Sequence, residues 1–312
     1  MIKSLSVFLL TVVYAGMFGS AFGMKGTSAM RTLQADTVKI NYPSKSDKVD
    51  TLKNDSNRVW IPTMVTGLNV SQIAFSNWTQ GGSNALTWTA TANVGMDYKT
   101  DGWTLRNHAR AAYGRTKLGG QGYITNDNEL FVENVLSYNI GWATDPFFSN
   151  TVITTLTQGY NYSSGTPVLI ADFFDPGYVT QSLGFSYSKL KFFSTRLGFA
   201  TQEVFANKYR QYTDNPSTPN KVEAFKLESG FESVSQVKLQ IADNVLLTTG
   251  LRLFTRFENL TVWDVRWDNV IAAKINSFLN VNFNYQLVYQ QDQSLETQMK
   301  EGLQLGLVYT IF

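Results

Sequence analysis

From Thr66 to its last residue the chain repeats one pattern, in which apolar and polar residues alternate with a period of two across about twelve segments separated by turn-forming residues. The final segment, Glu301 to Phe312, is the cleanest. Leu303, Leu305, Leu307, Tyr309 and Ile311 fall on one side, with Gly302, Gln304, Gly306 and Thr310 on the other. Successive residues of a β-strand point to opposite faces, so each segment reads as a strand with one greasy side. A last strand that ends on an aromatic residue is expected to pair with another strand and close a sheet. The pattern therefore predicts an all-β chain, an antiparallel transmembrane up-and-down β-barrel.

The expected strands have cores Gly67 to Ser76, Asn84 to Lys99, Trp103 to Arg115, Asn128 to Trp142, Asn150 to Tyr162, Tyr178 to Ser188, Lys191 to Thr201, Val222 to Gln240, Val245 to Phe257, Leu260 to Ile275, Leu279 to Gln290 and Glu301 to Ile311. A tilted crossing needs about 9 to 11 residues, which these supply. Charged residues make up 16% and aromatic residues 14% of the chain, against roughly 25% charged in a soluble domain. No run approaches the roughly 20 apolar residues of a mature spanning helix. A large soluble β-sandwich is the rival architecture.

Connection lengths separate the two. With the C-terminus at the periplasmic side, the connections at that side are Thr100 to Gly102, Ala143 to Phe148, Ser188 to Leu190, Ala242 to Asn244 and Asn276 to Phe278, all short turn signals. The alternate connections include Thr116 to Asp127, Ser163 to Gly177, Gln202 to Lys221 and Gln291 to Met299, which are long and polar; Phe257 to Leu260 is the tight exception. Short periplasmic turns alternating with longer extracellular loops fit a barrel and not a Greek-key sandwich. Aromatic residues gather beside the short turns: Tyr98, Trp103, Trp142, Phe147, Phe148, Tyr187, Phe192, Phe193, Phe278, Tyr309 and Phe312. This is the pattern of a girdle at the headgroup boundary.

The N-terminus has Lys3, an apolar run from Leu5 to Phe18, then the small residues Gly19, Ser20, Ala21 and Gly23. It reads as a secretory signal peptide over 1–23, and places the mature chain in the cell outer membrane. A polar stretch without sustained period follows, so 24–64 is expected to be a flexible periplasmic leader and 65–312 the barrel. The chain has no cysteine, which removes disulfides, thiolate metal sites and an N-terminal lipid anchor. A net charge of +2 without a basic stripe gives no footprint for nucleic acid.

Strand parity assigns the lumen. Arg106, His108, Arg110, Glu133 and Arg196 in the N-terminal half share the polar side with Asp97. Lys226, Glu228, Glu232, Arg252, Arg256, Asp264, Arg266 and Asp268 do so in the C-terminal half. Charges within a bilayer face water or one another. Because both signs alternate between neighbouring strands, cross-strand ion pairs are expected to brace the interior. Two readings stay open: a narrow channel or transporter for small polar solutes with a charge-lined lumen, or a closed barrel that serves an envelope complex as a structural or accessory part.

Asn77-Trp-Thr-Gln-Gly-Gly-Ser-Asn84 is the densest local signal. Gly81 and Gly82 allow a tight reversal, Trp78 can pack over the exposed backbone, and Asn84 opens the next strand, so the stretch is expected to be a structured hairpin tip. It lacks the Lys-Ser/Thr of a phosphate loop. Together with Tyr98-Lys99 before Trp103, Tyr113-Gly114, Asp127-Asn-Glu-Leu130 and Phe173-Phe-Asp-Pro-Gly-Tyr178, it resembles an uncharacterised family of Bacteroidota outer-membrane proteins, the domain-of-unknown-function 3078 family, over roughly Val65 to Tyr209. The resemblance implies a β-barrel of unknown function and brings no catalytic residues. The C-terminal strand is similar to the signal read by the barrel-insertion machinery, although Phe312 shares parity with Thr310 and Val308 rather than with the leucines.

Enzymatic, metal and cofactor roles find little support. Twelve-stranded outer-membrane phospholipases, a third reading, use Ser, His and Asn on the outer wall. His108, the one histidine, falls on the lumenal side between two arginines, the wrong face for lipid hydrolysis. Asp127 with Glu129, and Asp172 with Asp175, lack the spacing and glycine of an EF-hand loop and are read as loop-shaping residues. No catalytic residue, metal site or cofactor is expected. The expected partners are outer-membrane lipid, the barrel-insertion machinery and a small polar solute.

Overall fold

The computed structural model describes residues 52–53, 59–76, 83–120, 122–162, 166–215, 218, 220–290 and 296–311. The expected signal peptide, most of the leader, Trp78, Gly81, Gly82 and Phe312 lie outside the described residues. The barrel lies within one compact unit, Lys39–Phe312.

The strands are β1 (Leu52–Lys53), β2 (Val59–Ile73), β3 (Ala85–Lys99), β4 (Trp103–Leu118), β5 (Tyr123–Tyr138), β6 (Asp145–Thr154), β7 (Gly159–Asn161), β8 (Val168–Ala171), β9 (Gly177–Tyr187), β10 (Phe193–Phe205), β11 (Phe225–Ala242), β12 (Val245–Arg256), β13 (Asn259–Lys274), β14 (Leu279–Tyr289) and β15 (Gln298–Thr310). All pairings are antiparallel, and each long strand pairs with the long strands before and after it, from β2 to β15. Closure comes from β15 meeting β2, where Leu305 faces Val70 and Thr310 faces Val65. The result is a closed barrel of twelve strands: β2 to β6 and β9 to β15. Closure leaves no unpaired edge, which is what allows a sheet to cross hydrocarbon. Among the described residues no helix is long and apolar enough to cross a membrane.

The barrel is apolar outside and polar within. Leu183, Leu197, Phe199, Leu227 and Leu303 all lie outward with more than half of their surface exposed. Leu183, Phe199 and Phe231 form one register row across β9, β10 and β11. An exposed apolar wall of this extent has hydrocarbon as its natural solvent. Inside, Glu232, Asp264, Gln202 and Ser182 are buried together with Phe254, Ala112 and Val135.

Boundaries differ from the sequence expectation in four places. The first barrel strand begins at Val59, earlier than the expected Val65. The expected turn Ala143 to Phe148 is instead carried by Asn139 to Thr144, with β6 starting at Asp145. Asn139 Oδ1 accepts the Gly141 N–H at 2.8 Å, and Gly141 has φ +80, so an Asx turn makes the reversal. Pro146 fits within β6 because the ladder to β5 stops at Phe147, so its missing N–H is not needed on that side. The expected long loop Thr116 to Asp127 is mostly strand: β4 and β5 continue past a bulge at Gly114/Arg115 and leave a connection of 119–122, with Gly119 at φ +53. The loop between β6 and β9 carries its own hairpin, β7 with β8.

The girdle largely matches the sequence expectation. Trp103 lies 4.7 Å from Tyr138, Trp60 lies 4.5 Å from Tyr98, and Trp142, Phe148, Phe192, Phe278 and Tyr309 are exposed near the short-turn end. Phe147 is the correction. It is buried inside the barrel and lies beneath Arg196, whose guanidinium carbon is 6.0 Å from the ring centroid. Adjacent strand residues face opposite ways, so Phe147 and Phe148 could not both join the girdle.

Two motif residues shape the long-loop end. Asn84 Oδ1 accepts the Phe75 N–H at 2.7 Å, and the Asn84 carbonyl accepts the Gly119 N–H at 2.6 Å, tying the base of the first hairpin to the next connection. Asp175, buried in Phe173-Phe-Asp-Pro-Gly-Tyr178, accepts N–H groups from Asn207 at 3.0 Å, Lys208 at 2.9 Å and Tyr209 at 3.4 Å. It therefore latches one outer loop onto its neighbour. Asp172 accepts the Phe173 N–H and meets Lys208 at 3.8 Å. Both aspartates shape loops, and no group of three metal-ligating side chains occurs among the described residues.

Candidate functional site

Each of the charged residues assigned to the lumen by parity lies on the inward face, and they separate into three groups. The first is a lattice on one wall. Arg256 of β12 donates from Nε to Glu228 Oε1 at 2.6 Å and from Nη2 to Glu228 Oε2 at 3.1 Å. It also reaches Asp264 of β13, through Nη1 at 3.2 Å and Nη2 at 2.9 Å. Lys226 Nζ adds a contact to Glu228 at 2.8 Å. Four residues along β12, Arg252 donates to Glu232 at 2.7 Å, to Gln202 at 3.1 Å and to Thr180 at 3.3 Å, joining β9 to β12 in one row. Strand register causes this arrangement: Glu232 pairs with Phe254, which pairs with Asp264, so acids flank the arginine strand on both sides.

Phe254 fills the space between the two arginines. Its side chain is wholly buried, and the guanidinium carbons of Arg252 and Arg256 lie 5.7 and 5.6 Å from its ring centroid. Parity alone places Phe254 inward, since it alternates with Leu253 and Thr255. Its aromatic character suggests lipid instead, which masks its role in the sequence.

The second group crosses the lumen. Arg266 of β13 donates from Nη2 to both Glu129 oxygens, at 2.8 and 3.2 Å, while its Nε bonds Asp268 at 2.8 Å. Glu129 belongs to β5, six strands from β13 in either direction round the barrel. The pair therefore joins opposite walls. Arg110 of β4 approaches the same carboxylate at 3.5 Å, and Gln286 donates to Asp268. Nearer the long-loop end, Lys300 of β15 reaches Asp127 of β5 at 3.2 Å. The loop-shaping role expected of Glu129 and Asp127 is thereby corrected: both lie within β5 and face inward. The parity that Glu129 shares with Glu133 is the signal in the sequence that could have found it. Pairing between neighbouring strands accounts for the lattice and for Arg110 with Glu129 but not for Arg266 with Glu129, because a lumen this narrow brings opposite walls within reach of two long side chains.

The third group lines a cavity of about 340 Å³ towards the short-turn end. Asp97, Arg106, His108, Glu133, Arg196 and Gln236 are among its lining residues. Arg196 of β10 bonds Glu133 of β5, roofing this space. His108 stands inward at 6.0 Å from Phe131.

Not all of the interior is filled. Gly250 and Gly302 face inward, and a Cβ added at either would meet nothing within 4 Å. Gly306, by contrast, lies under Asn280, Asn282 and Asn69, whose side-chain atoms occupy the place its Cβ would take. Asn282 donates to Asn69 at 2.9 Å and Asn280 donates to Asn282 at 3.0 Å, an amide chain across the seam that closes the barrel. The inner side of β15 is thus open at Gly302 and covered at Gly306.

With this geometry in place, comparison with known proteins is informative at one point. Residues 70–160 match the family described as protein of unknown function DUF3078. The match runs from within β2 to β7 and takes in the tryptophan–glycine motif, Tyr98-Lys99, Tyr113-Gly114 and Asp127 to Leu130; Phe173 to Tyr178 lies beyond it. No curated protein matches the sequence. Among solved structures, an outer membrane channel from Pseudomonas putida F1 shares 13% identity with a TM-score of 0.39, covering 85% of this chain and 98% of that one. The translocator domain of the autotransporter NalP from Neisseria meningitidis shares 12% with a TM-score of 0.32, covering 85% and 91%. The CymD monoaromatic hydrocarbon channel shares 10% with a TM-score of 0.31, covering 92% and 95%.

Proposed function

We propose that this chain is a non-enzymatic outer-membrane channel for small polar solutes, held at low conductance by a mid-lumen constriction. The observation that carries the reading is the Arg266–Glu129 bridge between opposite walls. An arginine lattice that served stability alone could stay on one wall, as that of Arg252 and Arg256 does. A bridge across the lumen divides the conduit, and both partners keep about a fifth of their side-chain surface exposed. Water therefore reaches the pair, which favours exchange with a passing polar or charged group over a sealed plug. On either side of it, Asp268 and Arg110 are more exposed still, and Gly250 and Gly302 leave space along the wall. The single histidine faces this conduit rather than the lipid, which supports a role without lipid hydrolysis.

The test is conductance in planar bilayers with liposome swelling alongside. Removing both partners together, Glu129→Ala with Arg266→Ala, avoids stranding one charge. The double variant is expected to raise unitary conductance several-fold and admit larger sugars during swelling. A wild type and a double variant that are both silent would favour the second reading, a closed accessory barrel, for which the buried Glu228, Glu232 and Asp264 lattice speaks.

A further inference from the structure

A row of side-chain amides runs across the lipid-facing wall. Asn107 of β4 is in register with Asn134 of β5, Asn134 with Asn150 of β6, and Asn150 with Gln181 of β9. Register partners share a face, and this face is the outer one, because Arg106, Glu133, Ser149 and Ser182 beside them point inward. On their own strands the four amides alternate with Leu105 and Ala109, Val132 and Leu136, Phe148 and Val152, and Val179 and Leu183. Each is an interruption of an otherwise apolar stripe.

The row is not an interfacial belt. It lies towards the short-turn end of β4 and β5 and mid-strand on β6 and β9. It therefore climbs from the short-turn side to mid-membrane depth, where Asn150 and Gln181 lie. Headgroups and water can serve the Asn107 end but not Asn150 or Gln181. Within the barrel, Asn107 donates to the Met96 carbonyl at 2.9 Å, and Gln181 accepts from Thr201 at 2.9 Å. Asn150 Oδ1 is shut off from solvent and has no hydrogen-bond partner among the described residues. Hydrocarbon offers neither donor nor acceptor, so an unmet amide at this depth is costly.

We infer that this wall docks a second copy of the chain, with Asn150 on the two-fold axis. The chemistry argues for a copy of itself. Each amide carries both a donor and an acceptor, so the same group can satisfy its own image across a two-fold, as an isologous interface requires. Symmetry fixes where this happens. Rotation about the membrane normal reverses the slant of the row, so two facing rows cross at one point and diverge on either side. The crossing belongs at Asn150, the member with the unmet oxygen. Rotating Asn150 to present Oδ1 outward breaks no bond to that oxygen. Phe148 and Val152 would then pack around the amide pair. This inference stands independently of whether the lumen conducts.

The chain's lack of cysteine makes the test clean. Single-cysteine variants of the full chain are expressed in native membranes and oxidised. Asn150→Cys is expected to give a covalent dimer at least about tenfold above Phe283→Cys, which faces outward on β14, six strands away on the opposite wall. Asn134→Cys and Gln181→Cys, off the axis, should cross-link less. A yield at Asn150→Cys no better than at Phe283→Cys overturns the inference, as does cross-linking solely to a different protein. Folding is controlled separately: Asn134→Leu with Asn150→Leu and Gln181→Leu suits a lipid-facing wall, and should keep the barrel folded while shifting native mass spectra from dimer to monomer. A dimer that survives those three changes also overturns it.

Discussion

Replacing Arg256 with methionine should destabilise the barrel by about 3 kcal/mol, within the range of roughly 3 to 5 kcal/mol for removing one partner of a buried pair. The lower end is favoured by the geometry. Arg256 donates twice to Glu228 and twice to Asp264, and the acids expose 6% and 3% of their side chains. Lys226 at 2.8 Å continues to balance Glu228 after the change, which limits the loss on that side. Methionine keeps the aliphatic volume beside Phe254 but gives up a guanidinium–ring contact worth roughly 1 to 2 kcal/mol when desolvated. The assay is reversible urea unfolding in lipid vesicles, followed by tryptophan fluorescence and extrapolated linearly. Adding Asp264→Asn should restore part of the loss, since one of the two buried carboxylates that faced Arg256 is then neutral. Arg110→Met serves as the contrast: its contact to Glu129, the one ion pair it makes among the described residues, is 3.5 Å long and its side chain is 38% exposed, so about 1 kcal/mol or less is expected. A cost under about 1 kcal/mol for Arg256→Met, or no rescue by Asp264→Asn, would refute the buried-lattice account.

Two further tests probe other parts of the structure. A Cβ at Gly230 would collide with the Thr255 carbonyl oxygen, whereas one at Gly250 would meet nothing within 4 Å; Gly230→Ala should therefore cost about 3 kcal/mol or more and reduce heat-modifiable barrel on gels, while Gly250→Ala stays near wild type. In the outer loop, the Thr218 hydroxyl, at 2.9 Å, and the Asn215 N–H, at 3.2 Å, hold the Glu223 carboxyl below its ordinary range. A depressed pKa contributes to folding above the unfolded value and that contribution disappears as pH falls through the folded one. Carboxyl NMR titration should place the Glu223 midpoint below a free glutamate, and Thr218→Val should raise it; an unchanged midpoint would contradict the loop geometry.

Most of the barrel could be read from alternation because a closed antiparallel sheet imposes its period on every strand. Parity gave the face of the charged lumenal residues, such as Arg106, Glu133, Arg252 and Asp268, without any knowledge of the neighbouring strand. It failed where another local signal was stronger. Asp145-Pro146 looks like a turn, yet Asn139 and Gly141 make the reversal, because a proline is harmless at a strand end where one ladder stops short. Phe147 and Phe254 look like lipid-facing aromatics, yet both lie under arginines inside, where a ring supplies the apolar packing that a charged lattice otherwise lacks. Partner choice was the least legible. Arg252 with Glu232 follows from adjacency, but Arg266 with Glu129 joins residues whose strands are half a barrel apart, a relation that depends on circumference and exists only once the barrel has closed.

That dependence links the fold to the proposed function. The lattice around Arg252 and Arg256 draws on β9 to β13, consecutive strands whose contacts can form before the first strand meets the last. The Arg266–Glu129 bridge requires both walls at their final separation. It therefore registers the width of the lumen in a way the wall lattice does not. A slight outward movement of β5 would lengthen the bridge while leaving the lattice intact. The stable wall and the constriction are thus separate devices: Arg256→Met should lower stability without widening the conduit, and Glu129→Ala with Arg266→Ala should widen it at smaller cost. Measured on the same four proteins, wild type, each variant and their combination, the two effects should add. Strong coupling would mean that lattice and bridge are one plug, and would move the balance towards a closed barrel.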